Sequence, residues 1–326
     1  MRNNHLNILV TGGAGYLGSV IVDRLLDMNC VQKVYVLDNL LYKQQSFLNH
    51  FKHFQNSKFE FIYGDVRHSD LLKEYVSKVD IVIPLAAIVG FPACDKDQTL
   101  ATQINFEQIK DICNFLSGDQ LVIYPNTNSG YGVNDSQEFC TEETPLNPIS
   151  HYGITKCQAE KEILDSSSGL SLRLATVFGC SPRMRLDLLV NDFVYKACTD
   201  GYITLFEHKF RRNFIHVSDV AEAFKHFILD YYCYGSQYNA QAFNVGLSSA
   251  NLNKLELCEK IKESIPSFVI KTSDYCTDPD KRDYIVSNKK LEGIGWSPKH
   301  SIEDGINELI SVYSGLKNVN TNFTNL

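Results

Sequence analysis

Long hydrophobic runs, closely spaced cysteines and an excess of positive charge are all missing from this sequence, and each absence excludes a class of protein. The longest apolar run, residues 81–89, is interrupted by Pro84 and falls far short of the ~20 residues that a membrane-spanning helix needs. The ten cysteines are scattered, with Cys140 and Cys157 as the nearest pair, so no CxxC spacing predicts a zinc ribbon or a thioredoxin-like centre. The net charge of −7 argues against nucleic acid or an anionic membrane as the partner.

The same features predict a cytoplasmic globular protein without a metal site. No apolar export segment opens the chain, and scattered thiols in a reducing compartment pack as small apolar groups. The 326 residues are 44% hydrophobic and 21% charged, which is ordinary for a globular protein. Because this length is long for one simple core, we expect two lobes or one large α/β domain with an appendage.

Strand-like and helix-like segments alternate through the first half of the chain. Compact apolar runs predict strands at 6–11, 34–37, 59–63, 81–85, 121–124 and 170–174. Helical patterns lie between them, at 69–77, 100–116 and 152–164. This alternation predicts an α/β fold with a doubly wound parallel sheet of the Rossmann type. After residue 178 the segments become shorter and less regular, which predicts a smaller C-terminal α/β lobe over the carboxyl edge of the sheet.

The first predicted strand runs into a glycine turn and then a helix. Gly12, Gly15 and Gly18 form the pattern G-x-x-G-x-x-G, with Tyr16 and Leu17 between the last two. Such a turn lets the backbone approach a pyrophosphate, and the helix that follows offers amide donors and the positive end of its dipole. The glycines alone are weak support, since any tight turn between a strand and a helix can contain them.

Asp38 and Asn39 follow the second predicted strand, at the distance where dinucleotide sites place an acidic residue. The Asp38 carboxylate can accept hydrogen bonds from the adenosine ribose hydroxyls and would repel a 2′-phosphate. Since no arginine stands directly beside Asp38 in the sequence, we predict NAD rather than NADP. An ordinary turn aspartate is the alternative.

Two further strand ends fit the same site. Asp65 and Val66 follow the third predicted strand, where a carboxylate can reach the adenine amino group. Leu85, Ala86 and Ala87 end the fourth, where small residues suit a backbone that lies against the cofactor. Core packing is the alternative for the two alanines.

Taken together, these residues resemble the extended short-chain dehydrogenase/reductases, the nucleotide-sugar epimerase/dehydratase family. The resemblance covers nearly the whole chain. Its other motifs are Asn105, Thr127, Tyr131-Gly132, the pair Tyr152 and Lys156, and the segment 212–220. The family implies an NAD-binding Rossmann domain at 1–178 and a nucleotide-sugar-binding lobe at 179–326, with segments such as 212–246 returning to the first domain. It also implies a homodimer that pairs through helices 100–116 and 152–164.

Tyr152 and Lys156 lie four residues apart, on one face of a predicted helix. Removing a hydride from a sugar carbon also requires a base for the hydroxyl proton. A phenol, whose pKa is ~10, becomes a base at neutral pH only when a cation stabilises its anion. Lys156 can supply that cation and hold the nicotinamide ribose, and the family places the Thr127 hydroxyl on the reacting sugar oxygen. The alternatives are a tyrosine packed in a helix interface and a threonine that caps a turn.

Departures from the family patterns narrow the reaction. The dehydratases and decarboxylases of the family carry an acid after the threonine or serine, whereas Asn128 and Ser129 follow Thr127 here. The enzymes that work at C3 and C5 carry a cysteine there, and none stands between Tyr124 and Gly132. The remaining reaction is oxidation at C4, giving a 4-keto sugar. That sugar is either released, by a net 4-dehydrogenase, or re-reduced, by a 4-epimerase.

The substrate diphosphate requires cations from the second lobe. Arg212 and Arg282 match two family arginines that bind phosphate, and Thr176 stands where epimerases often carry an asparagine. Arg183 and Arg185 serve either the base and phosphates or only a surface turn. The predicted substrate contacts are Asn128, Thr176, Arg183, Arg185, Arg212 and Arg282.

The runs 85–105 and 181–193 are similar to enzymes of bacterial capsular and other surface polysaccharides that act on GDP-linked manno-heptose. A GDP-heptose or GDP-mannose type of substrate is therefore favoured. A UDP-sugar 4-epimerase is the alternative. A non-catalytic NAD-sensing regulator is less favoured, because both Tyr152 and Lys156 are present.

Overall fold

A computed structural model describes residues 5–42, 51–134, 138–273 and 282–315. The strands are β1 (Leu6–Thr11), β2 (Val31–Asp38), β3 (Phe59–Tyr63), β4 (Ile81–Pro84), β5 (Leu121–Thr127), β6 (Phe139–Cys140), β7 (Gly169–Leu174), β8 (Thr176–Phe178), β9 (Tyr202–Phe206), β10 (Arg211–His216), β11 (Ala242–Val245), β12 (Asn251–Asn253), β13 (Val269–Ser273) and β14 (Ile285–Val286). The α-helices are α1 (Tyr16–Leu26), α2 (Phe51–Gln55), α3 (Ser69–Val76), α4 (Phe91–Lys96), α5 (Gln98–Thr102), α6 (Gln108–Phe115), α7 (His151–Asp165), α8 (Leu189–Thr199), α9 (Val217–Tyr234), α10 (Lys254–Ser264), α11 (Lys289–Gly293) and α12 (Ile302–Gly315).

Within these ranges, seven strands form one parallel sheet in the order β11-β7-β5-β4-β1-β2-β3. The doubly wound parallel sheet predicted from the sequence is thus confirmed, and each of the six predicted strands belongs to it. The strand order reverses between β1 and β4, and this reversal opens a crevice at the carboxyl ends of the strands, where open α/β sheets bind ligands.

Alternate side chains of β1 enter two different cores, as the period of a strand requires. Ile8 and Val10 pack in a core with helices α1 and α9, whereas Leu9 packs in a core with α3, α6 and α7 on the opposite face. Since both faces are covered, the strands read in the sequence as continuous apolar runs. One expected element differs: the predicted helix 100–116 is divided into α5, a π-helical segment (Gln103–Glu107) and α6.

The second half of the chain builds smaller sheets and its own core. Strands β12, β10 and β8 form one sheet, and β9 pairs with β13. The core between α8, α10 and α12 contains Val190, Ile261 and Leu309, all fully buried. The chain also returns to the first half, because β11 joins the large sheet and α9 packs on α1. No helix in the described ranges is both long and apolar enough to cross a membrane.

A buried ion pair joins helix α7 to the sheet. The Glu160 carboxylate accepts hydrogen bonds from Arg173 Nη2 on β7 at 2.7 Å and from Asn126 Nδ2 on β5 at 2.6 Å. Arg173 Nη1 donates in turn to the Tyr131 hydroxyl at 3.1 Å and to the Glu142 carbonyl at 3.0 Å. The two charged side chains are only 3% and 8% exposed. Because a buried charge is tolerated only with partners, this network fixes α7 on β5 and β7.

Arg173→Met is expected to lower the free energy of unfolding by about 3–5 kcal/mol, because it leaves the Glu160 carboxylate buried without its cation. Urea unfolding followed by circular dichroism measures the change. The double variant Glu160→Gln/Arg173→Met should recover part of the loss, and Lys161→Met, which breaks an exposed pair on the same helix, should change little. A single variant as stable as the wild type would contradict this account.

Candidate active site

A cavity of about 610 Å³ lies at the carboxyl edge of the large sheet. It is bordered by residues at the ends of β1, β2, β4 and β5, namely Gly12, Asp38, Leu85 and Thr127. Residues from the second half of the chain close the other side. The predicted site residues that line it are Gly12, Gly15, Tyr16, Leu17, Gly18, Asp38, Asn39, Val66, Leu85, Ala86, Ala87, Thr127, Tyr152, Lys156, Thr176, Arg183, Arg185, Arg212 and Arg282.

Three predicted contacts, Asp65, Asn105 and Asn128, lie outside this lining. Asp65 accepts hydrogen bonds from Arg67 Nη2 at 2.8 Å and Asn39 Nδ2 at 3.1 Å, and the Arg67 bonds hold the pKa of Asp65 well below its usual value. Asp65 thus braces two strand ends, and Val66 is the residue of this pair that borders the cavity. The contact of Asp65 with adenine stays a prediction.

Asn105 and Asn128 lie beneath the cavity wall. Asn105 Nδ2 donates to the Ile88 carbonyl at 3.0 Å, and its Oδ1 accepts from the Ile88 amide at 2.8 Å, so it shapes the loop after β4. Asn128 is buried under the turn after β5, and its amide atoms have no hydrogen-bond partner in the described ranges. Asn128 does not line the cavity, and its contact with the substrate stays a prediction.

The glycine turn has the geometry that a pyrophosphate site requires. Gly12 has φ +67°, and a Cβ there would lie 2.6 Å from the Ala86 amide nitrogen. A Cβ on Gly18 would lie 2.5 Å from the Gly12 carbonyl oxygen, so helix α1 packs directly on the turn. Gly15 caps α1 without a side-chain acceptor, and the first amides of the helix are left for a ligand. The residues present therefore fit a dinucleotide cofactor.

Asp38 is fixed on this turn by the backbone. Its Oδ2 accepts from the Ala14 amide at 3.0 Å, and its Oδ1 accepts from the Leu40 amide at 2.7 Å. Burial raises the pKa of the carboxyl, and these two hydrogen bonds oppose the increase. A carboxylate has about four lone-pair sites, so acceptor capacity remains for ribose hydroxyls on the cavity side.

Tyr152 and Lys156 both face the cavity from the start of α7. Ser150 begins this helix by accepting a hydrogen bond from the Gly153 amide at 3.2 Å. Burial lowers the pKa of Lys156 to about 7, and its Nζ lies 4.1 Å from the centre of the Tyr124 ring. Burial also raises the pKa of Tyr152 to about 12. Burial thus disfavours the charged form of each group.

The cations that lower the pKa of the tyrosine in this structure are two arginines. Arg282 and Arg185 oppose the effect of burial on the pKa of Tyr152. Lys156, which the sequence predicts for this function, is itself buried, and burial disfavours its positive charge. Its role beside Tyr152 stays a prediction.

Ser129 completes the site and was not predicted as a site residue. Thr127 Oγ1 donates to Ser129 Oγ at 2.9 Å and accepts from the Ser129 amide at 3.1 Å. Arg282 Nη1 donates to the same serine oxygen. Ser129 therefore connects the hydroxyl of Thr127 to Arg282, which the sequence predicts as a ligand of the substrate phosphate. The signal in the sequence was its spacing from Thr127, since a threonine often caps the residue two positions later.

The predicted substrate arginines differ in their partners. Arg212 is buried with its guanidinium 5.5 Å from the Tyr284 ring, and its Nη1 donates to the Arg211 carbonyl at 2.8 Å. Arg185 is paired with Asp187, whose carboxylate already balances its charge. Thr176 begins β8 beside these side chains. In the described ranges no three histidine, cysteine or acidic side chains cluster as metal ligands.

Residues 8–246 match the profile of the NAD dependent epimerase/dehydratase family. The chain belongs to this family. It is an NAD-dependent enzyme of nucleotide-sugar chemistry. The predictions that the chain belongs to this family, that it is an enzyme and that its cofactor is NAD are confirmed.

Individual relatives agree with this assignment. The chain is 30% identical to UDP-glucuronic acid decarboxylase 1 of Arabidopsis thaliana, over 94% of this chain and 69% of that protein. It is 28% identical to the low-salt glycan biosynthesis protein Agl12 of Haloferax volcanii, over 95% and 99%. The solved UDP-glucuronic acid 4-epimerase of Bacillus cereus has the same fold, with a TM-score of 0.81, 22% identity and coverage of 95% of this chain and 100% of that chain.

Lys156→Met is expected to stabilise the cofactor-free protein at acidic pH. The pKa of Lys156 falls from 10.5 to about 7 on folding, so the unfolded chain binds more protons between these values. The cost of burying the ammonium is complete below pH 7 and disappears as the pH rises to 10.5. The variant should therefore gain roughly 5 kcal/mol at acidic pH and lose this advantage in alkali.

Urea unfolding of both proteins across this pH range measures the difference. Lys161→Met, at an exposed position of the same helix, is the matched control and should show no such trend. A stability difference that is independent of pH would contradict the argument.

Proposed function

We propose that this protein oxidises the C4 hydroxyl of a nucleotide-diphosphate sugar and that Tyr152 is the base. The observation that carries the proposal is the convergence of Tyr152, Lys156 and Thr127 on the cavity that also contains the glycine turn and Asp38. NAD, when bound, supplies the hydride acceptor and a positive charge near the phenol. Tyr152 takes the hydroxyl proton, and Arg282, Arg185 and that charge together stabilise its anion.

The hydroxyls of Thr127 and Ser129 would orient the C4 oxygen of the sugar. Thr127 donates its proton to Ser129, and Arg282 donates to the same oxygen, so both acceptor positions of Ser129 are filled. The proton of Ser129 is then left to donate to a sugar oxygen in the cavity. A donor at this place stabilises negative charge as it develops on the C4 oxygen.

The acidic groups of the cavity support oxidation without loss of water. Of the described residues that line it, the carboxylates are Asp38, Asp187 and Asp192. Asp38 is held on the glycine turn, Asp187 by Arg185 and Asp192 by Lys196. None of them follows Thr127 in the chain, where the family's dehydratases carry their acid and Asn128 and Ser129 stand here. A 4-keto sugar is therefore the favoured product or intermediate.

Arg212 and Arg282 would hold the diphosphate of the substrate, because guanidinium groups match phosphate oxygens in pairs. A sugar of the GDP-heptose or GDP-mannose type is favoured by the similarity of the runs 85–105 and 181–193 to surface-polysaccharide enzymes. The glycan biosynthesis protein of Haloferax volcanii supports a related pathway. A UDP-sugar 4-epimerase is the alternative, supported by the Bacillus cereus structure. A homodimer that pairs through residues 100–116 and 152–164 belongs to the same proposal.

Tyr152→Phe should lower kcat by at least about 10³-fold, because the phenol is the only proposed base and general bases contribute roughly 10²–10⁴-fold. Turnover is followed through NADH absorbance, and NAD affinity and the circular dichroism spectrum should stay close to those of the wild type. Tyr202→Phe, at an exposed strand position away from the cavity, is the matched control. A Tyr152→Phe enzyme with normal kcat would exclude Tyr152 as the base.

Incubation with GDP-, UDP-, CDP- and dTDP-sugars, followed by mass spectrometry, tests the reaction and the substrate class. A net dehydrogenase should release a product that lacks two hydrogen atoms and should need a second oxidant, such as a keto acid, for repeated turnover. An epimerase should give a product of unchanged mass and accumulate little NADH. A product that has lost water would overturn the proposed reaction.

A further inference from the structure

Arg183 places an unmatched positive charge inside the cavity. The side chain is only 3% exposed, and its Nη2 atom has no hydrogen-bond partner in the described ranges. Its guanidinium lies 5.1 Å from the centre of the Tyr42 ring, and the buried Tyr42 hydroxyl likewise has no partner there. Since buried polar groups in folded proteins are nearly always paired, both groups indicate a ligand that supplies acceptors.

The nearby carboxylates do not balance this charge. Asp187 and Asp38 are the acidic groups that act on Arg183, but the first is paired with Arg185 and the second accepts the amides of the glycine turn. Burial and the neighbouring Arg185 lower the pKa of Arg183 only to about 10, so the guanidinium is charged at neutral pH. An anionic ligand is therefore the group that suits this position.

Hydrogen bonds hold the loop of Arg183 against the first turn of helix α1. Ser181 Oγ donates to the Tyr16 carbonyl at 2.6 Å, and the Tyr16 hydroxyl donates to the Gly179 carbonyl at 2.7 Å. The Ser19 and Ser181 hydroxyls are also 3.0 Å apart. Arg183, two residues beyond Ser181, is thus placed near the helix end at which a dinucleotide pyrophosphate binds. Tyr42 follows Asp38 and belongs to the adenosine side of the same site.

We propose that Arg183 binds the pyrophosphate of the cofactor, beside Tyr42, and not the diphosphate of the sugar nucleotide. Arg212 lies instead on β10, against Tyr284, on the side assigned to the substrate. Arg183 is thereby a contact from the second half of the chain to the cofactor. The inference rests on NAD binding and is independent of the proposed C4 chemistry.

Calorimetric titration of cofactor-free Arg183→Gln with ADP-ribose and with adenosine tests the proposal. Loss of a charge-assisted bond should raise the Kd of ADP-ribose, and of NAD, roughly 10- to 100-fold, while the Kd of adenosine stays within about 2-fold. Arg24→Gln, which removes one arginine at the far end of α1, is the control and should bind both ligands normally.

The other possible results of these titrations would assign Arg183 to a different ligand or overturn the proposal. Unchanged ADP-ribose affinity would overturn the proposal. Weaker binding of GDP or UDP with normal ADP-ribose binding would return Arg183 to the substrate. A loss of affinity for NADP alone would show that Arg183 binds a 2′-phosphate. If Arg183→Gln does not fold, Arg183→Lys provides the test. Lysine keeps the positive charge but not the paired donors of the guanidinium, so a loss of ADP-ribose affinity smaller than about 10-fold supports the pyrophosphate contact, and an unchanged affinity contradicts it.

Discussion

The buried pair of Glu160 and Arg173 is the interaction on which the geometry of the site depends. Glu160 lies one helical turn after Lys156 on α7, and its carboxylate holds both β5 and β7. Strand β5 ends in Thr127, so the same carboxylate sets the distance between that hydroxyl and the helix of Tyr152. A hydrophobic contact would permit the helix to slide, whereas several directed hydrogen bonds to one buried carboxylate do not.

Burial moves the pKa values of the two central groups in opposite directions, because it disfavours the charged form of each. It lowers the pKa of Lys156 to about 7 and raises the pKa of Tyr152 to about 12. Both groups therefore respond strongly to any charge brought into the cavity, since the local dielectric screens little. Positive charge beside the Tyr152 phenol lowers its pKa. Tyr152 is therefore expected to take a proton from the substrate when the bound cofactor is oxidised and carries its positive charge. This coupling is a property of the buried environment and not of the Tyr-x-x-x-Lys spacing itself.

The parts of the site that follow from local patterns could be predicted from the sequence. The strands, the glycine turn and Asp38 depend on apolar runs and backbone geometry within about 30 residues, as in other dinucleotide sites. The hydrogen bonds of Asp65 to Arg67 and Asn39 could not be predicted, because they depend on side-chain directions that the sequence does not specify. Ser129 with Arg282, and Arg183 with Tyr42, are contacts between distant segments, which no periodicity specifies.

The different partners of the arginines suggest how the two halves of the chain divide their ligands. Arg185 is paired with Asp187, which leaves Arg183 as the unmatched charge beside helix α1. An anion bound there would offset the repulsion that Arg183 receives from Arg185. The segment that contains Arg183 leads directly into α8, where Leu189 and Asp192 border the same cavity. The proposed cofactor contact and part of the cavity wall therefore belong to one continuous stretch of the second half of the chain.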